Sequence, residues 1–326
     1  MSDTPIYARI IGTGSALPER VLTNADLEEM VETSDEWIRT RTGIERRHIV
    51  SEGETTADLA ETAARRALKA SGTSPEDLDL IIVGTTTPDY IFPNLGTLVQ
   101  ERIGAYGCAA VSCEAACAGF IYALGIGEKF IRVGDAERVL VIGAETLSRF
   151  TDWTDRTTCI LFGDGAGAVV LGPSEQPGLF STQLYADGRY REMLHFPSGV
   201  SKGFDDLKSG KDFVQMRGND VFRFAVREFI DAAKKIFAAT GMTAADVDWF
   251  VPHQANLRII EAVAKRVGIP MDRVIVTIQE HGNTSAASVP LALDVAVRDG
   301  RIKPGQTLLF EAFGGGFTWG AALLRY

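Results

Sequence analysis

The sequence lacks the features that direct a protein to a membrane, to secretion or to nucleic acid. No apolar stretch among its 326 residues is long enough to cross a bilayer. The first residues lack the basic segment and apolar core of a signal peptide. There are 33 basic residues against 43 acidic ones, and this net charge of −10 argues against nucleic-acid binding. We therefore expect a cytoplasmic protein without membrane or nucleic-acid partners.

Cysteine is scarce as well. Four cysteines in a chain of this size do not make a disulfide framework. Their spacing lacks the paired C-x2-C pattern of zinc sites, and no histidine lies near them in the sequence. We expect no metal ion and no cofactor. Cys108, Cys113 and Cys159 are interpreted as small buried apolar residues, which leaves Cys117 as the candidate for chemistry.

The chain does have enough apolar material for one large core. Hydrophobic residues make up 45% of it, and no linker rich in proline, glycine or serine interrupts it. Apolar runs at 80–83 and 139–142 are flanked by helical patterns, which is typical of strands buried on both faces. The pattern predicts an α/β fold around a mostly parallel sheet.

An internal repeat divides the chain into two similar parts. Residues 63–70 align with residues 232–239, and the match continues into an apolar run in each part. Self-similarity over such a long period predicts a duplicated α/β unit with a pseudo-twofold axis, which would bring the starts of two matching helices face to face. We expect the halves to be residues 1–173 and 174–326.

A second alignment sets the candidate nucleophile opposite an amide. Shifted by three residues from the first, it pairs Arg132 with Arg298 and Cys117 with Asn283. Cys117 precedes an apolar helical pattern, so we expect it at a helix start, beside unpaired N–H groups and the positive end of the helix dipole. This environment favours thiolate and predicts a pKa between ~3.5 and ~7.5.

Two later segments each supply one side chain suited to acyl chemistry. His253 follows a predicted strand, at the end where α/β sheets bind ligands. Asn283 lies in a run of small residues. Together with Cys117 they provide the nucleophile, imidazole and amide of a thioester-handling enzyme. Glycines at 314–316 let backbone N–H groups approach a ligand closely, which suits an oxyanion hole.

Two predicted helices carry positive charge in spite of the acidic total. The second begins directly after His253, so its basic side chains would form a positive rim beside the candidate site. Such a rim suits an anionic carrier or a phosphate-bearing substrate. The basic residues are Arg223, Arg227, Lys234 and Lys235 in the first helix, and Arg258, Lys265 and Arg266 in the second.

Motifs at 37–44, 252–256 and 282–285, together with the segments around Cys117 and the glycine run, carry a family resemblance. In combination they resemble β-ketoacyl-acyl-carrier-protein synthase III, the condensing enzymes that initiate type II fatty-acid synthesis. The resemblance covers essentially the whole chain. It implies a thiolase-like, duplicated five-layer α-β-α-β-α architecture and a homodimer.

The resemblance implies a reaction in two steps. Cys117 would take the acyl group from acetyl-CoA or another short acyl-CoA, with the N–H groups of Cys117 and Gly315 as the oxyanion hole. Malonyl-acyl-carrier protein would then lose CO2 and attack the acyl-cysteine, giving a 3-ketoacyl chain. His253 and Asn283 would hold the enolate, for which an imidazole N–H and an amide NH2 are suitable preorganised donors.

The resemblance also assigns binding residues. Trp37 and Arg156 would sandwich the adenine of CoA. Arg41 would meet its phosphates, and Asn256 would touch its pantetheine arm. Phe92 would reach across the dimer interface and limit the acyl pocket. The acidic carrier protein would bind four basic residues of the two predicted helices, namely Arg258, Arg223, Lys265 and Arg266.

Related enzymes are weighed on the same residues. A biosynthetic thiolase needs a second cysteine near its C-terminus, and the last one here is Cys159. An elongating synthase would have histidine in place of Asn283. Plant-type polyketide and alkylquinolone-type enzymes share the three site residues and stay open, whereas a non-catalytic partner subunit would lack Cys117. Ser112 and Arg217 depart from the family pattern, and Ser112 lies where it would alter the packing behind Cys117.

Overall fold

The computed structural model describes residues 6–203 and 212–326. Two main sheets follow one another along the chain, with helices between and outside them. The strands are β1 (Tyr7–Ala16), β2 (Val21–Thr23), β3 (Arg46–His48), β4 (Leu80–Gly84), β5 (Ala109–Cys113), β6 (Val139–Thr146), β7 (Asp164–Ser174), β8 (Leu179–Ala186), β9 (Leu194–His195), β10 (Gln215–Met216), β11 (Trp249–Pro252), β12 (Thr307–Gly314) and β13 (Thr318–Arg325). The helices are α1 (Asn24–Glu28), α2 (Asp35–Thr42), α3 (Thr56–Ser71), α4 (Leu95–Ile103), α5 (Gly119–Arg132), α6 (Gly218–Thr240), α7 (Leu257–Val267), α8 (Ile278–His281) and α9 (Ser288–Arg298).

The two sheets share one topological pattern. The first has strand order β1-β7-β6-β4-β5 and the second β11-β12-β13-β8. In the first sheet β4 pairs parallel with β6, and β7 pairs antiparallel with both β6 and β1. In the second sheet β11 pairs parallel with β12, and β13 pairs antiparallel with both β12 and β8. In each sheet one strand, β7 or β13, therefore runs against all the others, so the sheets are mixed and the prediction of a mostly parallel sheet is confirmed for strand direction. β12 returns directly into β13 through a tight turn, which only an antiparallel pair allows.

The helices form three layers around the two sheets. α5 and α9 lie between the sheets, where Phe120, Leu124 and Leu293 pack with residues of both. α3 and α4 cover the outer face of the first sheet, and α6 and α7 cover the outer face of the second. A helix between two sheets buries more than one side, which explains why α5 is apolar beyond a single stripe. The predicted duplicated five-layer α-β-α-β-α architecture is confirmed.

The second sequence alignment is correct at the ends of the central helices but not at their starts. Gly134 and Gly300 follow α5 and α9 with φ of 81° and 82°. However, α5 has 14 residues and α9 has 11. The 3-10 turns before them, residues 116–118 and 285–287, therefore match in another register, in which Cys117 corresponds to Ala286. An alignment without gaps does not allow for α9 being about one turn shorter than α5. Asn283 therefore lies before the 3-10 turn at 285–287 and does not match Cys117.

Two glycines bring the nucleophile helix against the first sheet. A Cβ at Gly84, the last residue of β4, would lie 2.5 Å from the carbonyl carbon of Gly119. Real Cβ atoms do not approach a backbone atom so closely, so this contact requires glycine. The start of α5 thus packs directly on the end of a buried strand. In the described part of the chain, no helix has the length and apolar content needed to cross a bilayer.

The four cysteines are free, but they differ in burial. Cys159 is fully buried, as predicted. Cys108 and Cys113 are half-buried, so their prediction as buried residues is wrong. Both lie at β5, the last strand in the order of the first sheet, where one side of the strand is left uncovered by the described residues. Ser112, also on β5, accepts a hydrogen bond from the Leu95 N–H at 3.0 Å, which ties this strand to α4.

Candidate active site

Cys117 lies in the turn that leads into α5 and is nearly fully buried. The hydroxyl of Ser285, from the matching turn before α9, lies 3.3 Å from its sulfur. The two turns therefore meet, as the pseudo-twofold repeat predicts. The nucleophile and the amide-bearing segment come together although they are separated by 168 residues at this contact.

The resting state of Cys117 is a thiol, and the prediction of a thiolate is wrong. Burial raises the pKa of Cys117, the Ser285 hydrogen bond lowers it and the nearby carboxylate of Glu145 raises it, so that the pKa lies at about 12. The helix dipole supplies only about half a positive charge. That charge does not offset the loss of water around sulfur together with a neighbouring negative group. The sulfur must therefore give up a proton before it can attack.

His253 follows β11 and is held on both sides. Its backbone N–H donates to the backbone carbonyl of Glu311 at 2.7 Å. Its Nδ1 lies 2.6 Å from the Ser288 Oγ, which also accepts from the Gln254 N–H at 3.3 Å. We assign the Ser288 hydroxyl as donor to Nδ1, which leaves the ring hydrogen on Nε2. Burial lowers the pKa of His253 to about 3, so the ring is a neutral N–H donor at physiological pH.

Asn283 is oriented by the turn that follows it. Its Oδ1 accepts a hydrogen bond from the Ser285 N–H at 2.9 Å. The backbone N–H of Asn283 donates to the Leu161 carbonyl at 2.8 Å, and its backbone carbonyl accepts from the Gly163 N–H at 3.0 Å. Because Oδ1 is engaged, the carboxamide NH2 is turned the other way and can donate to a ligand. Cys117, Ser285, Asn283 and His253 are all buried in this region.

Sequence reasoning missed two buried carboxyl groups. Glu145, near the end of β6, accepts hydrogen bonds from Ser285 and from the threonines at 85–87. Burial raises its pKa to about 7. Glu311 is fully buried on β12, and neither of its carboxyl oxygens has a hydrogen-bond partner among the described residues. Burial raises its pKa well above the ordinary value. An acidic residue inside an otherwise apolar strand was the signal available.

The glycine run lies against the nucleophile. A Cβ at Gly314 would come within 2.4 Å of the Cys117 nitrogen, so the backbone at this point touches the Cys117 amide. Thr318 donates its hydroxyl to the Ala115 carbonyl at 2.7 Å, which ties β13 to the same turn. Gly315 follows directly and packs against the carbonyl of Leu194. The backbone amides of the glycine run and of Cys117 are therefore neighbours.

The structure brings the predicted CoA-binding residues together on one side of the molecule. The Arg41 and Arg156 guanidinium groups lie 5.5 Å and 5.0 Å from the centre of the Trp37 ring. Asn256 caps α7 through its Oδ1 and donates from Nδ2 to the Arg41 carbonyl at 3.0 Å. These residues come from α2, the loop after β6 and the start of α7. Both guanidinium groups lie within cation–π distance of the indole ring.

The predicted carrier-binding residues lie on the outer layer. Arg258 is exposed on α7, with its guanidinium 6.0 Å from the Phe222 ring of α6. Lys265 is exposed farther along α7. Arg223 and Arg266 line a groove of about 510 Å³ between α6 and α7. The groove has an apolar floor and a basic rim, formed by Phe222, Arg223, Val226, Arg227, Ile230, Asp231, Lys234 and Arg266.

Phe92 lies apart from the other candidate residues of this chain. It is 84% exposed, in the loop between β4 and α4. Tyr90 and Ile91 beside it are also exposed. A run of large apolar side chains in water is unusual unless another surface covers it.

Family models match both parts of the chain. A model described as 3-oxoacyl-acyl-carrier-protein synthase III matches residues 112–188, the segment with the nucleophile. A model described as the C-terminal part of the same enzyme matches residues 237–326, the segment with His253 and Asn283.

Whole-chain relatives agree with these matches. β-Ketoacyl-acyl-carrier-protein synthase III of Thioalkalivibrio sulfidiphilus is 58% identical over 98% of this chain and 99% of its own length. The same enzyme of Xanthomonas campestris pv. campestris is 60% identical over 98% of this chain and 99% of its own length. The crystal structure of 3-oxoacyl-acyl-carrier-protein synthase III from Aquifex aeolicus has a TM-score of 0.92 at 48% identity, covering 98% of this chain and 100% of that one. The priming β-ketosynthase of the R1128 polyketide pathway has a TM-score of 0.94 at 37% identity, covering 100% and 98%. A chain similar to these enzymes over nearly its full length, with Cys117 at the contact between its two repeats, belongs to the β-ketoacyl-acyl-carrier-protein synthase III family of condensing enzymes.

Proposed function

We propose that this chain catalyses the decarboxylative condensation of a short acyl-CoA with malonyl-acyl-carrier protein. The observation that carries the proposal is the set of contacts made by residues 285–288, where Ser285 contacts the buried thiol of Cys117 and orients Asn283, and Ser288 orients His253. Acetyl-CoA or another short acyl-CoA is the primer. The products are a 3-ketoacyl-acyl-carrier protein, CO2 and CoA, and the reaction initiates fatty-acid synthesis.

In the first step, Cys117 attacks the thioester carbonyl of acyl-CoA. The N–H groups of Cys117 and Gly315 hold the oxygen that becomes negative, and CoA leaves with the thioester electrons. The contact between the glycine run and the Cys117 amide supports this oxyanion hole. Two fixed amides in a buried site stabilise an oxyanion without having to reorganise.

In the second step, malonyl-acyl-carrier protein loses CO2 and its thioester carbonyl becomes an enolate. His253 Nε2–H and the Asn283 NH2 donate to the enolate oxygen. The low pKa of His253 supports this role, because the ring is neutral and keeps its hydrogen. The enolate carbon then attacks the acyl group on Cys117, forming the new carbon–carbon bond and releasing the sulfur.

A product assay tests this function directly. The protein is mixed with acetyl-CoA and malonyl-carrier protein, and CO2 release and carrier-bound product are followed together. We expect one CO2 for each 3-ketoacyl-carrier protein, and a panel of longer and branched acyl-CoAs then gives the preferred primer. Release of CO2 without chain extension, or hydrolysis of acyl-CoA alone, would contradict the assignment.

We infer that CoA and the carrier protein use different surfaces. Trp37 and Arg156 would hold the adenine, Arg41 the phosphates and Asn256 the pantetheine arm, which their clustering supports. The carrier would dock on the basic rim of α6 and α7. The residues that would contact it are Arg258, Arg223, Lys265 and Arg266, of which Arg223 and Arg266 also line the groove.

Two matched variants separate these surfaces. Arg258→Glu should raise the KM for malonyl-carrier protein several-fold and leave acyl-CoA loading nearly unchanged, because a rim charge acts mainly on encounter. Trp37→Ala should weaken acyl-CoA loading and leave the KM for malonyl-carrier protein nearly unchanged. Added NaCl should raise the carrier KM of the parent, since surface charges are screened beyond about 8 Å at physiological salt. A carrier KM insensitive to both salt and Arg258→Glu would place docking elsewhere.

We also propose a homodimer in which Phe92 reaches into the partner's acyl pocket. The exposed apolar side chains near β5 support it, since Phe92 is 84% exposed, Tyr106 74% and Val111 44%. β5 is an edge strand, and an uncovered edge invites pairing with another chain. Sedimentation velocity at assay concentration tests this proposal, and a monomer that is fully active would contradict it.

The division of the chain and its compartment remain proposals as well. We propose halves at 1–173 and 174–326, supported by β7 ending at Ser174 in the first sheet and β8 beginning at Leu179 in the second. We propose a cytoplasmic location, supported by four free cysteines. Limited proteolysis tests the boundary, and cell fractionation tests the location.

A further inference from the structure

The proton on Cys117 needs an acceptor that the residues assigned so far do not provide. Sulfur attacks the thioester only after its hydrogen has left, and burial keeps the resting thiol neutral. His253 cannot take this hydrogen in its assigned form. Its Nδ1 already accepts from Ser288, and its Nε2 carries the ring hydrogen.

Ser285 lies between the thiol and a carboxyl group. Its Oγ is 3.3 Å from the Cys117 sulfur and 3.1 Å from Glu145 Oε1. Its backbone has φ of 50°, in the left-handed region that a non-glycine residue rarely adopts. The bond from its N–H to Asn283 Oδ1 holds this conformation. A strained backbone thus places one hydroxyl in contact with both groups.

Glu145 is built to hold a charge without a countercharge. It is fully buried, and in the part of the chain described here it forms no ion pair. Its oxygens accept from the Thr86 N–H at 3.1 Å, from the Thr86 hydroxyl at 3.1 Å and from the Thr87 hydroxyl at 2.6 Å. These donors and Ser285 stabilise the carboxylate, while burial opposes it and sets its pKa at about 7.

We propose that Glu145, acting through the Ser285 hydroxyl, accepts the proton of Cys117 during acyl transfer. The proposal rests on the acyl-transfer function above. The S–H hydrogen passes to Ser285 Oγ as the Ser285 hydrogen passes to Glu145 Oε1. This leaves a thiolate that accepts a hydrogen bond from Ser285 and a neutral Glu145. The same path, reversed, delivers the proton to the departing CoA sulfur.

The relay keeps the charge of the site constant. One negative charge is present before the transfer, on Glu145, and one after it, on Cys117. Moving a charge over one hydroxyl avoids bringing a new charge into a buried site, which would be costly. The structure therefore provides a route to the thiolate that does not depend on a lowered thiol pKa in the free protein.

Single-turnover acyl loading tests the relay. The variants are Glu145→Gln and Ser285→Ala, and the full-length protein is mixed rapidly with acetyl-CoA and quenched between pH 5.5 and 9. We expect both variants to load ~10² or more slower than the parent at pH 7, the lower end of what a positioned general base contributes. The parent rate should level off above about pH 7, where Glu145 is ionised, and Glu145→Gln should lose this inflection.

The sign of the effect separates the relay from simple repulsion. If Glu145 only opposes the thiolate by its charge, Glu145→Gln loads as fast as the parent or faster at pH 7, and the proposal is overturned. Retention of the inflection in Glu145→Gln overturns it as well. Cys117 is the ionisable group that faces Glu145 among the described residues. His253 and His281, whose pKa values are about 3 and 4, stay neutral over this range.

Two controls keep the result interpretable. Thr87→Val removes one donor to the same carboxylate but keeps the acceptor, so the inflection should move to higher pH while loading at pH 9 stays close to the parent rate. Alkylation of Cys117 by iodoacetamide, read by peptide mass against half-buried Cys108, needs no acyl-CoA and should show the same inflection. A parent that alkylates with the inflection but never loads acetyl-CoA would fail the proposed function and leave the relay standing. A parent that loads without any inflection would fail the relay alone.

Discussion

Cys117→Ala is expected to abolish both acyl loading and condensation while leaving the fold intact. The sulfur lies at the start of α5 and is the proposed nucleophile, whereas the core around the helix is formed by larger apolar side chains such as Phe120 and Leu124. Removing one small buried atom should change the melting temperature by no more than a few degrees. Intact-mass spectrometry after incubation with acetyl-CoA measures the loss.

Cys108→Ala provides the matched control for this variant. Cys108 is half-buried beside β5, and its sulfur contacts the Ala105 carbonyl. The control should load one acyl group per chain, as the parent does. Covalent labelling that persists in Cys117→Ala would move the nucleophile to another residue and contradict the mechanism.

His253→Ala and Asn283→Ala are expected to lose decarboxylation far more than acyl loading. In the proposed mechanism both side chains donate to the enolate, which forms only after the acyl group is in place. Removing one donor of this kind typically costs ~10² to ~10³ in rate. Release of CO2 from malonyl-carrier protein measures the effect, and acyl loading in the same samples is the internal control.

A difference between the two half-reactions is the informative result. Equal loss of both would mean that the variants disturb the fold or the Cys117 environment. Decarboxylation near the parent rate in both variants would remove His253 and Asn283 from the second step. Because Ser285 orients Asn283 and Ser288 orients His253, the two variants should not disturb each other's partner.

The duplicated fold could be predicted from sequence, and the three proposed site residues could be selected from it, because their signals are local. Cys117, His253 and Asn283 each lie in a segment of small or glycine-rich residues where an element begins or ends. The repeat then indicated that two helix starts would meet. No contact needed to be known for these inferences.

The protonation state of Cys117 could not be predicted in this way. It depends on Glu145, which is distant in the sequence and reaches the sulfur only through Ser285, 140 residues farther along. Ser288 likewise contacts His253 across 35 residues. Burial and hydrogen-bond partners of this kind arise from packing between the two repeats. Local pattern indicated a helix dipole at the thiol but not the desolvation that outweighs it.

The most direct test of the central claim follows the acyl group on the enzyme through one turnover. The protein is first mixed with acetyl-CoA alone, and then malonyl-carrier protein is added while intact mass and tryptic peptides are monitored. We predict one acetyl group per chain, on the peptide that contains Cys117, and its disappearance as 3-ketoacyl-carrier protein and CO2 form in equal amounts. Condensation without an acetyl-Cys117 intermediate, or an acetyl group that stays on the enzyme after malonyl-carrier protein is added, would contradict the account.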